Sequence, residues 1–262
     1  MSATISSINY CPVKSVSFQT IEKCEIKKNI GIIGDRVFAF AKDLDQEQAK
    51  LFEKSPDNRK GKWNKVLTLK NSPALNKYNF IFKDEKLTLI FKDQEILTID
   101  INQLSEREAL SNKITELESS LKQPIVLMKN NEFPFFDTSI SNKVDFVNSV
   151  SLLNIQSIND FQKKIDKNIE TSIFRGNICV DNIEPWEERE WIGKVIKINN
   201  VSFKVEKNIP RCVAINLKPQ TDDNSFNLLQ SLKKTYNHFD MGIYLRALDD
   251  GKIKVGDKVN LN

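Results

Sequence analysis

Residues 201–219 read Val-Ser-Phe-Lys-Val-Glu-Lys-Asn-Ile-Pro-Arg-Cys-Val-Ala-Ile-Asn-Leu-Lys-Pro, and this stretch decides the fold. Val201, Phe203 and Val205 alternate with polar residues, the period of a strand with one buried face. Val213, Ile215 and Leu217 alternate in the same way, which predicts a second strand beginning just after Cys212. Pro210 fixes its own φ and is expected to turn the chain between the two. A side chain at that junction has a held backbone and an open face, so Cys212 is a candidate reactive group. Arg211 beside it carries a permanent charge that favours thiolate over thiol. A thiolate is both a nucleophile and a soft metal ligand. Taken alone, such a cysteine is more often a small buried hydrophobe. The flanking chain has to decide.

Upstream, Asn199-Asn200 is a two-residue hairpin turn joining Val195–Ile198 to the 201–205 strand. Glu184-Pro-Trp-Glu-Glu-Arg-Glu-Trp191 is acidic and aromatic, and reads as a solvated loop. Phe174–Asp181 runs into a strand, and Ile158, Phe161 and Ile165 lie on one face of a helix. Downstream, Leu228, Leu229, Leu232 and Tyr236 mark another helix. Met241–Leu248 reads as a strand, and Ile253–Leu261 as a closing strand bent at Gly256-Asp257.

The first 130 residues alternate short apolar runs with Pro, Asp and Gly breaks, the signature of a meander or small barrel. One helix interrupts them, with Ser105–Glu108 as its expected capping box. Phe133-Pro-Phe-Phe-Asp137 reads as a joint. The fold class is therefore mainly β with several helices (α+β), with expected domains 1–130, barrel-like, and 131–262.

The 262 residues carry 39 basic and 35 acidic side chains, a net charge of +4. That small, dispersed excess makes no case for nucleic acid. Four scattered cysteines match no zinc or iron–sulfur spacing. A single histidine rules out a multi-histidine zinc site and argues against a histidine triad. No flavin or nicotinamide glycine fingerprint follows a strand. No run approaches the ~18 apolar residues of a membrane span, and no leader is apparent. A cytoplasmic, reducing setting is expected.

Four motifs occur in order: Phe174-Arg175-Gly176-Asn177-Ile178, Pro210-Arg211-Cys212, Met241-Gly242-Ile243-Tyr244 and Val255-Gly256-Asp257-Lys258-Val259. Through them the C-terminal half resembles the molybdenum-cofactor-sulfurase C-terminal family, the MOSC domains. The N-terminal half is similar to the β-barrel domain that precedes many members, through Tyr10-Cys-Pro-Val-Lys-Ser15 and Gly34-Asp35-Arg36. The functional relatives implied are the amidoxime-reducing members, in which a molybdopterin lies between the two domains and a cysteine ligates molybdenum.

The resemblance implies a molybdenum-dependent oxidoreductase that reduces N-hydroxylated or N-oxide substrates with electrons from an external donor protein. Cys212 would be the metal ligand and catalytic centre. Arg211 would contact the cofactor beside it, and Arg175 and Asn177 would hold the pterin or its phosphate. Lys14, Ser15 and Arg36 would reach in from the N-terminal side, and Ser151 and Tyr244 would complete the pocket. Pro210 replaces a serine frequent in relatives. No pyridoxal phosphate, iron–sulfur cluster or flavin is expected on this chain. The alternative is a cofactor-handling or sulfur-carrier protein, with a persulfide on Cys212. Independently of the family, four cations from four separate segments beside a soft ligand suit an anionic, phosphorylated cofactor.

Overall fold

A computed structural model describes residues 3–121, 124–136 and 149–261. The N-terminal half contains β1 (Ala3–Tyr10), β2 (Gln19–Ile21), β3 (Lys23–Lys27), β4 (Gly31–Ile32), β5 (Phe38–Lys42) and α1 (Gln46–Lys54). These are followed by β6 (Tyr78–Lys83), β7 (Lys86–Phe91), β8 (Gln94–Asp100), α2 (Leu104–Leu117) and β9 (Ile125–Lys129). The C-terminal half contains β10 (Val150–Asn154), α3 (Ile155–Ile165), β11 (Ile178–Asp181), β12 (Val195–Ile198) and β13 (Val201–Pro210). It ends with α4 (Leu228–Tyr236), β14 (Asp240–Ala247), β15 (Gly251–Lys254) and β16 (Lys258–Leu261).

β13 is the central strand. Val201, Phe203 and Val205 are fully buried and the residues between them are not, so one face of the strand supplies core. Asn199 takes a left-handed φ of 53° and, with Asn200, closes the β12–β13 hairpin with Ile198 opposite Val201. From there the sheet runs β13–β14–β10–β11 on one side and β12–β16–β1 on the other. β1 and β11 also pair, so seven strands close into a barrel. Closure leaves these strands no open sheet edge on the ring and encloses a core that includes Ile5, Ile8, Phe203, Ile243 and Leu245. Only β10 and β11 are parallel, and the crossover between them carries α3.

The N-terminal half contributes the β6–β7–β8 meander and the β5–β9 ladder, packed with α2 around a second core. The sheets do not follow chain order: β1 lies in the barrel between β11 and β16, and β3 pairs with β15. A division at residue 130 therefore leaves several ladders hydrogen-bonded across it. The Phe133–Phe136 loop packs Phe135 and Phe136 inward, and Phe135 N donates to Arg36 O at 2.8 Å. Asp137 lies outside the described residues.

Three local expectations are corrected. Val213–Asn216 is a short 3-10 turn rather than a strand, with Cys212 as its N-cap. Alternation over five residues is also satisfied by this turn followed by an extended Leu217, which buries Ile215 and Leu217 and leaves Val213 outside. α2 begins one residue before Ser105, with Gln103 at its N-cap and no side-chain cap. Glu106 turns instead to the backbone N–H of Asp100, at 2.6 Å. The acidic loop is not all solvated. Glu188 is fully buried, accepting from Asn154 Nδ2 at 2.9 Å and Ser157 Oγ at 2.9 Å.

Candidate functional site

The site is built where the loop after β1, the turn before β5 and the segment between α3 and β11 meet. Asp35, in the glycine turn, is buried and organises it. Its Oδ1 accepts from Cys11 N at 2.9 Å. Its Oδ2 accepts from Asn177 Nδ2 at 3.0 Å and pairs with Arg36 at 2.5 Å. Burial pushes the Asp35 carboxyl up from the usual carboxylate range, and Arg36 opposes that shift. Sequence reasoning took Arg36 from this turn and passed over Asp35. The signal that would have found it is a lone acid set among candidate cations.

Asn177 and Ser151 form a closed pair. Asn177 Oδ1 accepts from Ser151 N at 3.1 Å and Ser151 Oγ at 2.8 Å, while Asn177 N donates back to Ser151 Oγ at 2.9 Å. Asn177 Nδ2 has both of its hydrogens in use, to Asp35 and to Asn9 O at 3.2 Å. The side chain is fully buried. It fastens three segments together, and its hydrogen-bonding capacity is already engaged. Ser15, with φ 71°, directs Oγ to Leu67 O at 3.3 Å.

The cations converge on aromatic rings. Arg36 Cζ lies 4.2 Å from the Phe136 ring centroid and 4.9 Å from that of Phe18. Arg175 Cζ lies 4.7 Å from the same Phe18 ring. Lys14 Nζ donates to Phe136 O and lies 5.6 Å from the Trp63 ring centroid. Tyr244 packs with Phe136 and Ile209 in one small buried cluster. Arg175, in left-handed conformation, donates to Val16 O at 2.8 Å and to Asn76 Oδ1 at 3.5 Å. Burial pulls its guanidinium pKa down. Gly176 follows because a Cβ there would sit 2.4 Å from Leu153 Cδ1. Phe18, Phe136 and Asn76 carry no local sequence signal, since the fold brings them in from distant segments.

Arg211 is turned away from Cys212. Its Nε donates to Met241 O at 2.8 Å and its NH1 to Phe174 O at 2.6 Å. It thereby ties together the segments before Arg175 and Gly242. Gly242 itself lies against β10, where a Cβ would meet Leu152 O at 2.3 Å. Cys212 is exposed, whereas Cys11, Cys24 and Cys179 are buried. Ala214, two residues on, lines a cavity of about 180 Å³ together with Arg175, Phe18, Ser17, Asn76 and Ser172. Lys14, Arg36, Arg175, Asn177, Ser151 and Tyr244 are thus linked through Asp35, Phe18 and Phe136. Cys212 is exposed and caps the turn from which Ala214 lines the cavity.

A family model for the MOSC domain matches residues 143–260. The mitochondrial amidoxime reducing component 2 of Bos taurus is 26% identical over 159 residues, 56% of this chain and 46% of that protein. The molybdenum cofactor sulfurase of Bombyx mori is 30% identical over 115 residues, 41% of this chain and 13% of that protein. The chain therefore spans less than half the length of these curated relatives. The crystal structure of the YuaD protein from Bacillus subtilis superposes with a TM-score of 0.43 at 10% identity, over 99% of this chain and 94% of that one. One of these relatives is named for the molybdenum cofactor.

The site fits such a group. Arg36 pairs with the one buried carboxylate, shares the Phe18 ring with Arg175 and meets Phe136 as Lys14 does, so an anion would balance the three cations. Cys212 offers an exposed soft sulfur two residues from the cavity-lining Ala214. Among the described residues no three His, Cys, Asp or Glu side chains gather to hold a metal.

Proposed function

We propose that this chain is a molybdenum-dependent oxidoreductase that reduces small N-hydroxylated or N-oxide substrates with electrons from an external donor protein. The observation that carries the reading is the combination of an exposed Cys212 with a half-buried cation cluster holding one acid. The bound cofactor would supply the two-electron chemistry that turns N–OH into N–H and water with two protons. The chain's own residues bind and orient. Arg36 and Arg175 hold an anionic group by charge-assisted hydrogen bonds. Lys14 adds a point charge, held in place by Phe136 O. Asn177, Ser151 and Asp35 keep the Arg36 and Arg175 backbones in register. Cys212 offers its exposed sulfur. A cytoplasmic location goes with this reading. No helix among the described residues is long and apolar enough to cross a membrane.

A second reading, sulfur carriage by a Cys212 persulfide, draws on the same exposure of the thiol. One experiment separates the two. Chain made in a molybdopterin-competent host is assayed for molybdenum, for pterin, and for reduction of an N-hydroxylated amidine by reduced viologen. Bound molybdenum with turnover that Cys212→Ser abolishes supports the reductase. Metal-free protein with a persulfide on Cys212 supports the carrier and sinks the reductase.

A further inference from the structure

We propose that Phe18 is a positioning residue whose ring holds the Arg36 and Arg175 guanidiniums together as one clamp for a dianionic phosphate monoester. The inference deepens the cofactor-binding reading above and rests on it for the source of that phosphate. Both guanidinium carbons lie within 5 Å of the one ring, at 4.9 and 4.7 Å. Two like charges brought this close repel, the more so in a half-dry site. The local acid attracts both guanidiniums but touches only one of them. Asp35 pairs with Arg36, and its remaining contacts go to Cys11 N and Asn177 Nδ2. Arg175 donates to Val16 O, to Asn76 Oδ1 and to the sulfur of Cys11, a buried thiol whose pKa burial pushes up. The ring contact that the two guanidiniums share is Phe18, whose negative face attracts each, while Arg36 also lies 4.2 Å from the Phe136 ring.

The position suits a ligand. Phe18 is half-buried, and it lines the cavity of about 180 Å³ beside Arg175, Ser17 and Ser172. That volume is ample for a phosphate group. Glu170 stands at the rim, exposed, and accepts from Ser172 Oγ at 3.3 Å. If Phe18 served packing alone, leucine would replace it without consequence for an anion. If it holds the clamp, the loss of the ring frees the two guanidiniums to separate.

The test measures inorganic phosphate binding by calorimetry to chain from a host unable to make molybdopterin, in wild type, Phe18→Leu and Phe18→Tyr. Phe18→Leu is expected to bind about tenfold more weakly, the loss of one desolvated or two half-exposed ring–cation contacts. Phe18→Tyr, which keeps the ring, should bind as wild type does. Melting temperatures without phosphate are compared alongside, and Phe18→Met stands in if leucine lowers the melt. Equal phosphate affinity in wild type and the ringless variant overturns the clamp, as does wild type that binds no phosphate. A parallel arm measures pterin retained through dialysis by protein from a competent host. Parallel loss in Phe18→Leu makes the cofactor's phosphate the source. Phosphate loss with unchanged pterin retention supports a clamp for free phosphate. Phe18-dependent phosphate binding by a chain that never acquires pterin refutes the cofactor reading and leaves the clamp.

Discussion

Asn177→Ala is expected to unfold the chain more readily before it weakens any ligand contact. The side chain is fully buried and makes four hydrogen bonds, to Ser151 N, Ser151 Oγ, Asn9 O and Asp35 Oδ2, at 2.8–3.2 Å. Removing it leaves the Ser151 N–H and Asn9 O unpaired and takes one donor from Asp35 Oδ2, while Ser151 Oγ can rotate. Each buried group left without a partner costs about 1–3 kcal/mol, so the two together cost about 2–6 kcal/mol. That is a large share of the roughly 5–15 kcal/mol that holds a typical domain together. The assay is urea unfolding of cofactor-free chain with linear extrapolation. If Asn177 instead served mainly to touch a pterin, the cofactor-free variant would unfold within about 1 kcal/mol of wild type. That result would refute the positioning role argued above.

Two further outcomes follow from burial. Native chain treated with iodoacetamide should be alkylated at Cys212 alone of its four cysteines, because the other three are buried. Peptide mass spectrometry reads this, and labelling of Cys11 or Cys179 before unfolding would contradict the packing. Glu188 is buried, and burial raises its pKa above the ordinary 4.5. The native state therefore holds its proton to higher pH than the unfolded chain does. This contribution to stability is greatest below pH 4.5 and declines as pH rises toward the raised folded value. Unfolding free energies measured from pH 4 upward should show that decline, and Glu188→Gln should flatten it. An equally steep decline in the variant would assign it to other groups, with Asp35, also raised, the first to examine.

The parts of the fold legible in sequence were those fixed by local chemistry. Alternation found β13, and two asparagines able to adopt left-handed backbone found its hairpin. The cation segments were legible because each follows a turn or strand end. Partners that only tertiary folding brings together were not legible. Glu188 sits in an acidic run yet is buried by Asn154 and Ser157 from α3 and its cap. Arg211 is adjacent to Cys212 in sequence, but its guanidinium reaches back to the Met241 and Phe174 carbonyls. Asn76 reaches the site from more than 50 residues away from Phe18, and donates to Lys218 O and Thr221 O on the far wall. Each of these is a long-range polar contact, to which hydrophobic period is blind.

Barrel closure by β1 also bears on how the chain is made. Ala3 pairs with Val259, and Ile5 with Val180, so both ring neighbours of the first strand are synthesised late. Only its Ile8–Tyr10 end has a local partner, β2. A nascent chain thus carries an open, apolar strand edge through most of its translation, a template for pairing with other chains. Its ring forms only after release of the C-terminal strands from the ribosome, through contacts of very long sequence separation, which slow folding. Yield in a cell should therefore depend on whatever shields β1 during elongation as much as on the stability of the finished barrel.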